Sequence, residues 1–289
     1  MNFPQNYQSG GYARIRENPD PATDFSVEPP RHLSGATAFR AAIDEQLASQ
    51  PVGARNVTIY VHGFYTGFFD GLFRSAQLQR DFDLKGLMLH FAWPSLGNNT
   101  GYAYDRESVL FSRDGLEQML RTVAESRAER VTIIGHSLGA MLVMETLRQI
   151  EISDAGWAHR EIDGIALVSP DIDLSVFKSQ AARIKKLPND FVVFVSDRDK
   201  VLWFSSTYNG VKRRLGNTTD VEISTEGELT IVDLSKLASS ASSGHFIPAT
   251  SPAAIKFLRE SKTFLALFPR ESIGRKIRRD VRLFDPSAG

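Results

Sequence analysis

The stretch VTIIGHSLGA, Val131 to Ala140, joins a β-branched apolar run to a Gly-x-Ser-x-Gly pattern and then to a helix-forming run, Ala140 to Met144. The five-residue pattern alone is cheap in a chain with 21 glycines. Its context gives it meaning, because a strand ends at Gly135 and a helix opens after Gly139. A serine forced into a tight strand-to-helix turn sits in a strained backbone conformation and lifts its Oγ above the sheet edge. The residues two before and two after it must be small, because strand and helix pass close to them. The helix N-terminus aims N–H groups and the positive dipole end at the same spot. A negative oxygen formed on an attacked carbonyl would be stabilised there. Ser137 is therefore the candidate nucleophile. The bland reading of the same residues is a surface serine in a glycine-rich turn.

Upstream, VTIYVHGFYTGF, Val57 to Phe68, again runs an apolar strand into a glycine, here His62-Gly63. In a sheet enzyme the loop after such a strand supplies a second donor for the oxyanion. The backbone N–H groups of Phe64 and Leu138 are the candidate pair. His62 is expected to prop this loop by hydrogen bonding rather than to move protons.

A serine hydroxyl needs a base near neutral pH, and histidine is the usual one. The strand–serine–helix topology predicts the chain order serine, acid, histidine. Two of the six histidines, His159 and His245, follow Ser137. His159 lies in a polar stretch before a strand. His245 lies in a loop between the last predicted strand, Leu229 to Leu234, and the last predicted helix, Pro252 to Leu267, where the base belongs. The acid should follow the strand Phe191 to Val195. The loop Ser196-Asp197-Arg198-Asp199-Lys200-Val201 spaces Asp199 as such an acid, which would hold the His245 tautomer. Asp197, Asp171 and Asp173 remain rivals.

Further out, short continuous apolar strands alternate with helical segments, as in a parallel sheet covered on both faces. Helices are expected over Thr37 to Ala48, Gly67 to Leu78, Glu107 to Ala128, Leu138 to Ile150 and Val176 to Lys186. Strands are expected at Leu87 to Trp93, Val131 to Ile134, Ile165 to Val168 and Val221 to Ile223. Asp105 is placed to cap the helix that follows it. Phe64, Tyr65, Phe68, Phe69, Trp203 and Phe204 could line an apolar acyl or alcohol pocket. Residues 1–36 read as a proline-rich arm with one short strand near Phe25 to Val27, residues 37–268 as the folded domain, and 269–289 as a basic tail.

Composition narrows the classes. Across 289 residues, 34 basic and 34 acidic side chains cancel, which argues against a global pull toward nucleic acid or an anionic membrane. The absence of cysteine excludes disulfides, thiolate metal sites and a cysteine nucleophile. No run approaches the roughly 20 apolar residues of a membrane-spanning helix, and the N-terminus lacks a basic-then-apolar signal pattern, so a cytoplasmic location is expected.

Taken together, these stretches resemble the α/β-hydrolases. More narrowly, the chain is similar to the bacterial α/β-hydrolases grouped as domain of unknown function 900, often labelled esterase/lipase superfamily enzymes. The resemblance rests on VHGF near residue 61, FAWPS near 91, YDRES near 104, GHSLG at 135, SPDIDLSVF near 169, VSDRDKVL near 195 and GH at 244. It spans roughly residues 25 to 262. It implies an α/β-hydrolase fold with a mostly parallel central sheet of about eight strands and helices on both faces. It also implies a serine hydrolase of bacterial origin that needs no metal or cofactor and takes a small-molecule acyl ester. Other outcomes on the same residues are acyl transfer to another acceptor, thioester cleavage, or a non-catalytic hydrolase-like binding protein.

Overall fold

The computed structural model describes residues 2–11, 14–16, 18–98, 100–202, 213–218, 227–237 and 245–269. The arm forms two short strands, β1 (Arg14–Ile15) and β2 (Asp24–Phe25), which pair in parallel with each other. Among the described residues the central sheet has six strands: β3 (Asn56–Val61), β4 (Leu87–Phe91), β5 (Arg130–His136), β6 (Gly164–Val168), β7 (Asp190–Val195) and β8 (Leu229–Asp233). Their order is β4-β3-β5-β6-β7-β8, and every neighbouring pair is parallel. This is two fewer than the expected eight. The arm does not extend the sheet. Its Phe25 packs instead with Phe3, Tyr7 and Phe73, and the Tyr7 hydroxyl donates to Asp81 at 2.8 Å. The expected strand at Val221 to Ile223 lies outside the described residues.

Both faces of the sheet are buried, as crossover helices require. Val57, Ile59 and Val61 of β3, Ile133 of β5 and Leu167 of β6 belong to one apolar cluster. Tyr60, Ile134 and Ala166 of the same strands belong to the other. The alternation follows from the two-residue period of a strand. The first face is covered by α1 (Gly35–Ala48), α4 (Arg113–Ala124) and α5 (Leu138–Ser153), whose Leu47, Leu120 and Leu142 join its cluster. The second is covered by α2 (Phe68–Asp81), α8 (Ile247–Thr250), α9 (Pro252–Glu260) and α10 (Lys262–Leu267), which contribute Leu78, Ala249, Leu258 and Leu267.

Two expected helices are divided. The segment from Glu107 is split into α3 (Tyr102–Phe111) and α4 at Ser112, whose hydroxyl donates to the Ser108 carbonyl at 2.7 Å. Such back-bonding bends helices. The segment from Pro252 breaks at Ser261, which has extended backbone angles and caps α10 by accepting from the Phe264 N–H. The last helices of the first layer are α6 (Trp157–Glu161) and α7 (Leu174–Ile184).

From β3 the chain moves outward to β4 and then crosses to β5 on the other side of β3. The strand order thus reverses between β3 and β5. In open parallel sheets a ligand crevice lies beyond the carboxyl ends of strands at such a point.

Candidate active site

β5 ends at His136 and α5 begins at Leu138, with Ser137 alone between them. Ser137 has φ 53° and ψ −119°, a region that a residue with a Cβ rarely occupies. The turn is held by three backbone bonds. The Ser137 N–H donates to the Val168 carbonyl at 3.0 Å, and the Ser137 carbonyl accepts from Ala140 and Asp171. The flanking glycines are required by space. A Cβ on Gly139 would sit 2.2 Å from the His62 carbonyl oxygen, and one on Gly135 would sit 2.9 Å from the Ala140 Cα. Leu138 is the first residue of α5, so its N–H has no acceptor within the helix.

The loop after β3 lies against this turn. A Cβ on Gly63 would approach the Ser137 Cβ to 2.9 Å. Phe64 follows, its ring edge-on to Tyr102 at 5.5 Å. His62 is buried and stacks on Trp93 with ring centroids 4.9 Å apart. Its Nδ1 is 2.9 Å from the Gly63 carbonyl, and its Nε2 accepts from the Trp93 N–H at 3.2 Å. Burial pushes the His62 pKa down, so its ring is a neutral strut. Trp93 is buried as the other half of that strut, and its indole N–H donates to the His62 carbonyl at 2.8 Å.

His245 stands beside the turn, its ring centroid 4.8 Å from that of His136. Its Nδ1 is 2.8 Å from Asp199 Oδ2. Asp199 is buried, and its Oδ1 accepts the N–H groups of Val201 and Leu202 at 3.0 Å each. Of the three rival carboxylates, one faces solvent and two are engaged elsewhere. Asp197 is exposed. Asp173 caps α7 through the N–H groups of Ser175 and Val176. Asp171 is buried, accepts from the Tyr102 hydroxyl at 2.7 Å and lies 3.2 Å from Arg214 Nε. His159 holds the Leu187 carbonyl on another part of the surface. Asp105 does not cap α3. It is fully buried and accepts from Ser95 Oγ and the Leu96 N–H, tying down the loop after β4.

Two constellations near the turn carry no sequence motif. One is Tyr102–Asp171–Arg214, in which Asp171 also donates its backbone N–H to Ser137. The other grips the His245 loop. The Phe246 ring stacks on His136 at 4.0 Å and 12°, and the Arg74 guanidinium lies 5.3 Å from its centroid. Gln77 of α2 donates to the Ala249 carbonyl at 3.0 Å. Arg74, Gln77 and Arg214 are polar residues with no motif around them, so only the fold reveals their partners. Trp203 and Phe204 lie outside the described residues.

A cleft of only about 40 Å³ opens at the other end of the sheet, where Asn56 and Arg130 begin β3 and β5. Arg130 is engaged there by Asp190 and the Ala266 carbonyl, and no serine or histidine lines the cleft. Among the described residues no cluster of His, Cys, Asp and Glu could hold a metal ion, and no helix is long and apolar enough to cross a membrane.

A parallel sheet with a strained serine turn at its reversal point defines an α/β-hydrolase. The chain belongs to the family described as alpha/beta hydrolase of unknown function (DUF900), whose sequence model matches residues 35–261. No curated protein matches. Among solved structures, a predicted CIB-like hydrolase from Thermoplasma acidophilum is similar at 19% identity and TM-score 0.42, over 73% of this chain and 90% of that one. A thermostable esterase from Pseudomonas putida ECU1011 is similar at 12% identity and TM-score 0.42, over 81% of this chain and 91% of that one. The apo form of Thermogutta terrifontis esterase 2 gives 10% identity and TM-score 0.44, over 78% of this chain and 88% of that one.

Proposed function

We propose that the protein is a serine hydrolase that cleaves carboxylic esters through an acyl-enzyme. The observation that carries this reading is the strained Ser137 turn with the His245–Asp199 pair beside it. Ser137 Oγ attacks the ester carbonyl while His245 Nε2 takes its proton. Asp199 accepts from His245 Nδ1–H, fixes the tautomer and stabilises the imidazolium as it forms. The N–H groups of Phe64 and Leu138 hold the oxyanion. The tetrahedral intermediate collapses, the C–O bond breaks, and the alcohol leaves with the proton from His245. Water then attacks the acyl-enzyme with His245 again as base, which restores Ser137.

The test is turnover of p-nitrophenyl esters by Ser137→Ala against the parent, with product analysis in the presence of competing alcohols and amines. Loss of turnover in the variant, with free acid as the product, is expected. Full turnover in Ser137→Ala would refute the reading. A dominant ester or amide product would make the protein an acyltransferase on the same residues.

A further inference from the structure

We infer that Tyr102 is a positioning residue for the oxyanion pocket, setting both backbone donors through one side chain. This rests on the acyl-transfer reading above and adds a residue to it. Tyr102 opens α3 and is half-buried against the apolar cluster of the first face. Its ring meets the Phe64 ring edge-on, with centroids 5.5 Å apart and planes at 76°. Its hydroxyl donates to Asp171 Oδ2 at 2.7 Å. Phe64 would supply one oxyanion N–H. Asp171 donates its own backbone N–H to the Ser137 carbonyl at 3.2 Å, one residue before Leu138, which would supply the other.

Both donors sit beside strained backbone. Tyr65, which follows Phe64, has φ 57°, and Ser137, which precedes Leu138, has φ 53°. Neither is a glycine, so each conformation persists only because its surroundings over-determine it. An oxyanion donor acts over a narrow range of about 2.7–3.1 Å, so drift in either segment weakens it. Tyr102 touches the surroundings of both.

Tyr102 is itself held in place. Asp171 is buried between the Tyr102 hydroxyl on Oδ2 and the buried Arg214, whose Nε lies 3.2 Å from Oδ1. Arg106, one turn further along α3, places Nη1 3.5 Å from the same hydroxyl. Asp105, in the same turn of α3, is buried and accepts from Ser95 Oγ at 2.6 Å, and Ser95 Oγ accepts the Thr66 N–H at 3.4 Å. The start of α3 therefore grips the strained Tyr65 from both sides, Phe64 through Tyr102 and Thr66 through Ser95 and Asp105. With its hydroxyl on Asp171 and its edge on Phe64, the Tyr102 ring cannot turn without breaking one of these contacts.

The experiment compares the parent with Tyr102→Phe, Tyr102→Leu, Phe64→Leu, the Tyr102→Leu/Phe64→Leu double variant and Tyr104→Phe, an exposed tyrosine on the same helix. Each is measured for kcat and KM on p-nitrophenyl butyrate, for the inhibition constant of an alkyl trifluoromethyl ketone, and for melting temperature. Ser137 Oγ adds to the ketone carbonyl carbon, His245 takes the proton, and the carbonyl oxygen becomes an oxyanion, so this inhibitor reads the pocket directly. Tyr102→Phe keeps the ring and loses the hydroxyl. It should lower kcat about tenfold and raise the inhibition constant by the same factor, with KM nearly unchanged. Tyr102→Leu should lose more. The double variant should fall short of the product of its two single losses, because each single change removes the same ring pair. Tyr104→Phe should match the parent. A rise in KM alone in Tyr102→Phe would overturn the inference, as would losses that multiply in the double variant. Unchanged kcat and ketone affinity beside a lowered melting temperature would make Tyr102 structural only, which also overturns it. If Tyr102→Leu does not fold, Tyr102→Phe decides alone. A parent whose Ser137 is labelled by a fluorophosphonate keeps these failures apart from failure of the acyl-transfer reading; a parent that does not label removes both.

Discussion

Asp199 and Asp171 are both buried carboxylates near the Ser137 turn, and their partners give them opposite fates on substitution. Asp199→Asn keeps the shape but offers His245 an amide where a carboxylate stood, so kcat should fall on the order of 10⁴-fold with little change in stability. Asp171→Asn removes the charge facing the buried Arg214 guanidinium. That should cost ~3–5 kcal/mol of stability, read by denaturant unfolding. The reverse pattern, a dead but stable Asp171→Asn beside a fully active Asp199→Asn, would move the acid. Gly139→Ala places a methyl 2.2 Å from the His62 carbonyl oxygen. It should destabilise by at least ~1–3 kcal/mol and displace the loop after β3, lowering the melting temperature and the turnover together. The glycine spacing around Ser137 could be read from the chain because it answers a local steric demand. The Arg214 partnership could not, because it joins positions that only the fold brings together.

Among the elements, α2 does two things at once. Its Leu78 packs against the second face of the sheet, and its middle carries Arg74 and Gln77, which hold the loop of His245. Arg74→Gln leaves the Ser137 turn untouched but loosens the stack on Phe246. It should lower kcat by about tenfold, equivalent to ~1.4 kcal/mol, with little change in KM. A change in KM alone would contradict that role. Strands β3 to β8 are legible because continuous apolar runs of strand length have few other readings. Both helix breaks differ from the expected helices for one reason. Ser112 and Ser261 interrupt otherwise helical periodicity through a side chain bonding to the backbone, which apolar spacing does not register. Of the two expected strands not found in the sheet, Val221 to Ile223 lies outside the described residues, and the other contains Phe25. That segment is a strand, but it pairs within the arm.

Across the whole molecule, three histidines are held neutral by burial. The His90 pKa is pushed down to about 3, mainly by burial. Burial also lowers His62, and it lowers His136 well below its ordinary value, with the Arg74 guanidinium among the smaller causes. Their folded values lie below the unfolded value near 6.5, so below that pH the unfolded chain binds protons that the native one refuses. Stability should therefore fall as pH drops from about 6.5, each histidine adding a slope of up to about 1.4 kcal/mol per pH unit. For His90 the loss continues down to about pH 3. Melting temperatures from pH 8 to 4 should show this decline, with a shallower acid limb in His90→Gln. A flat profile would contradict it.

The central claim, that Ser137 is a nucleophile activated by His245, is tested most directly by peptide mass spectrometry after reaction with a fluorophosphonate. The account predicts one adduct, on the peptide containing Ser137, formed far more slowly in His245→Asn. An adduct on another residue, or undiminished labelling of Ser137 in His245→Asn, would contradict it.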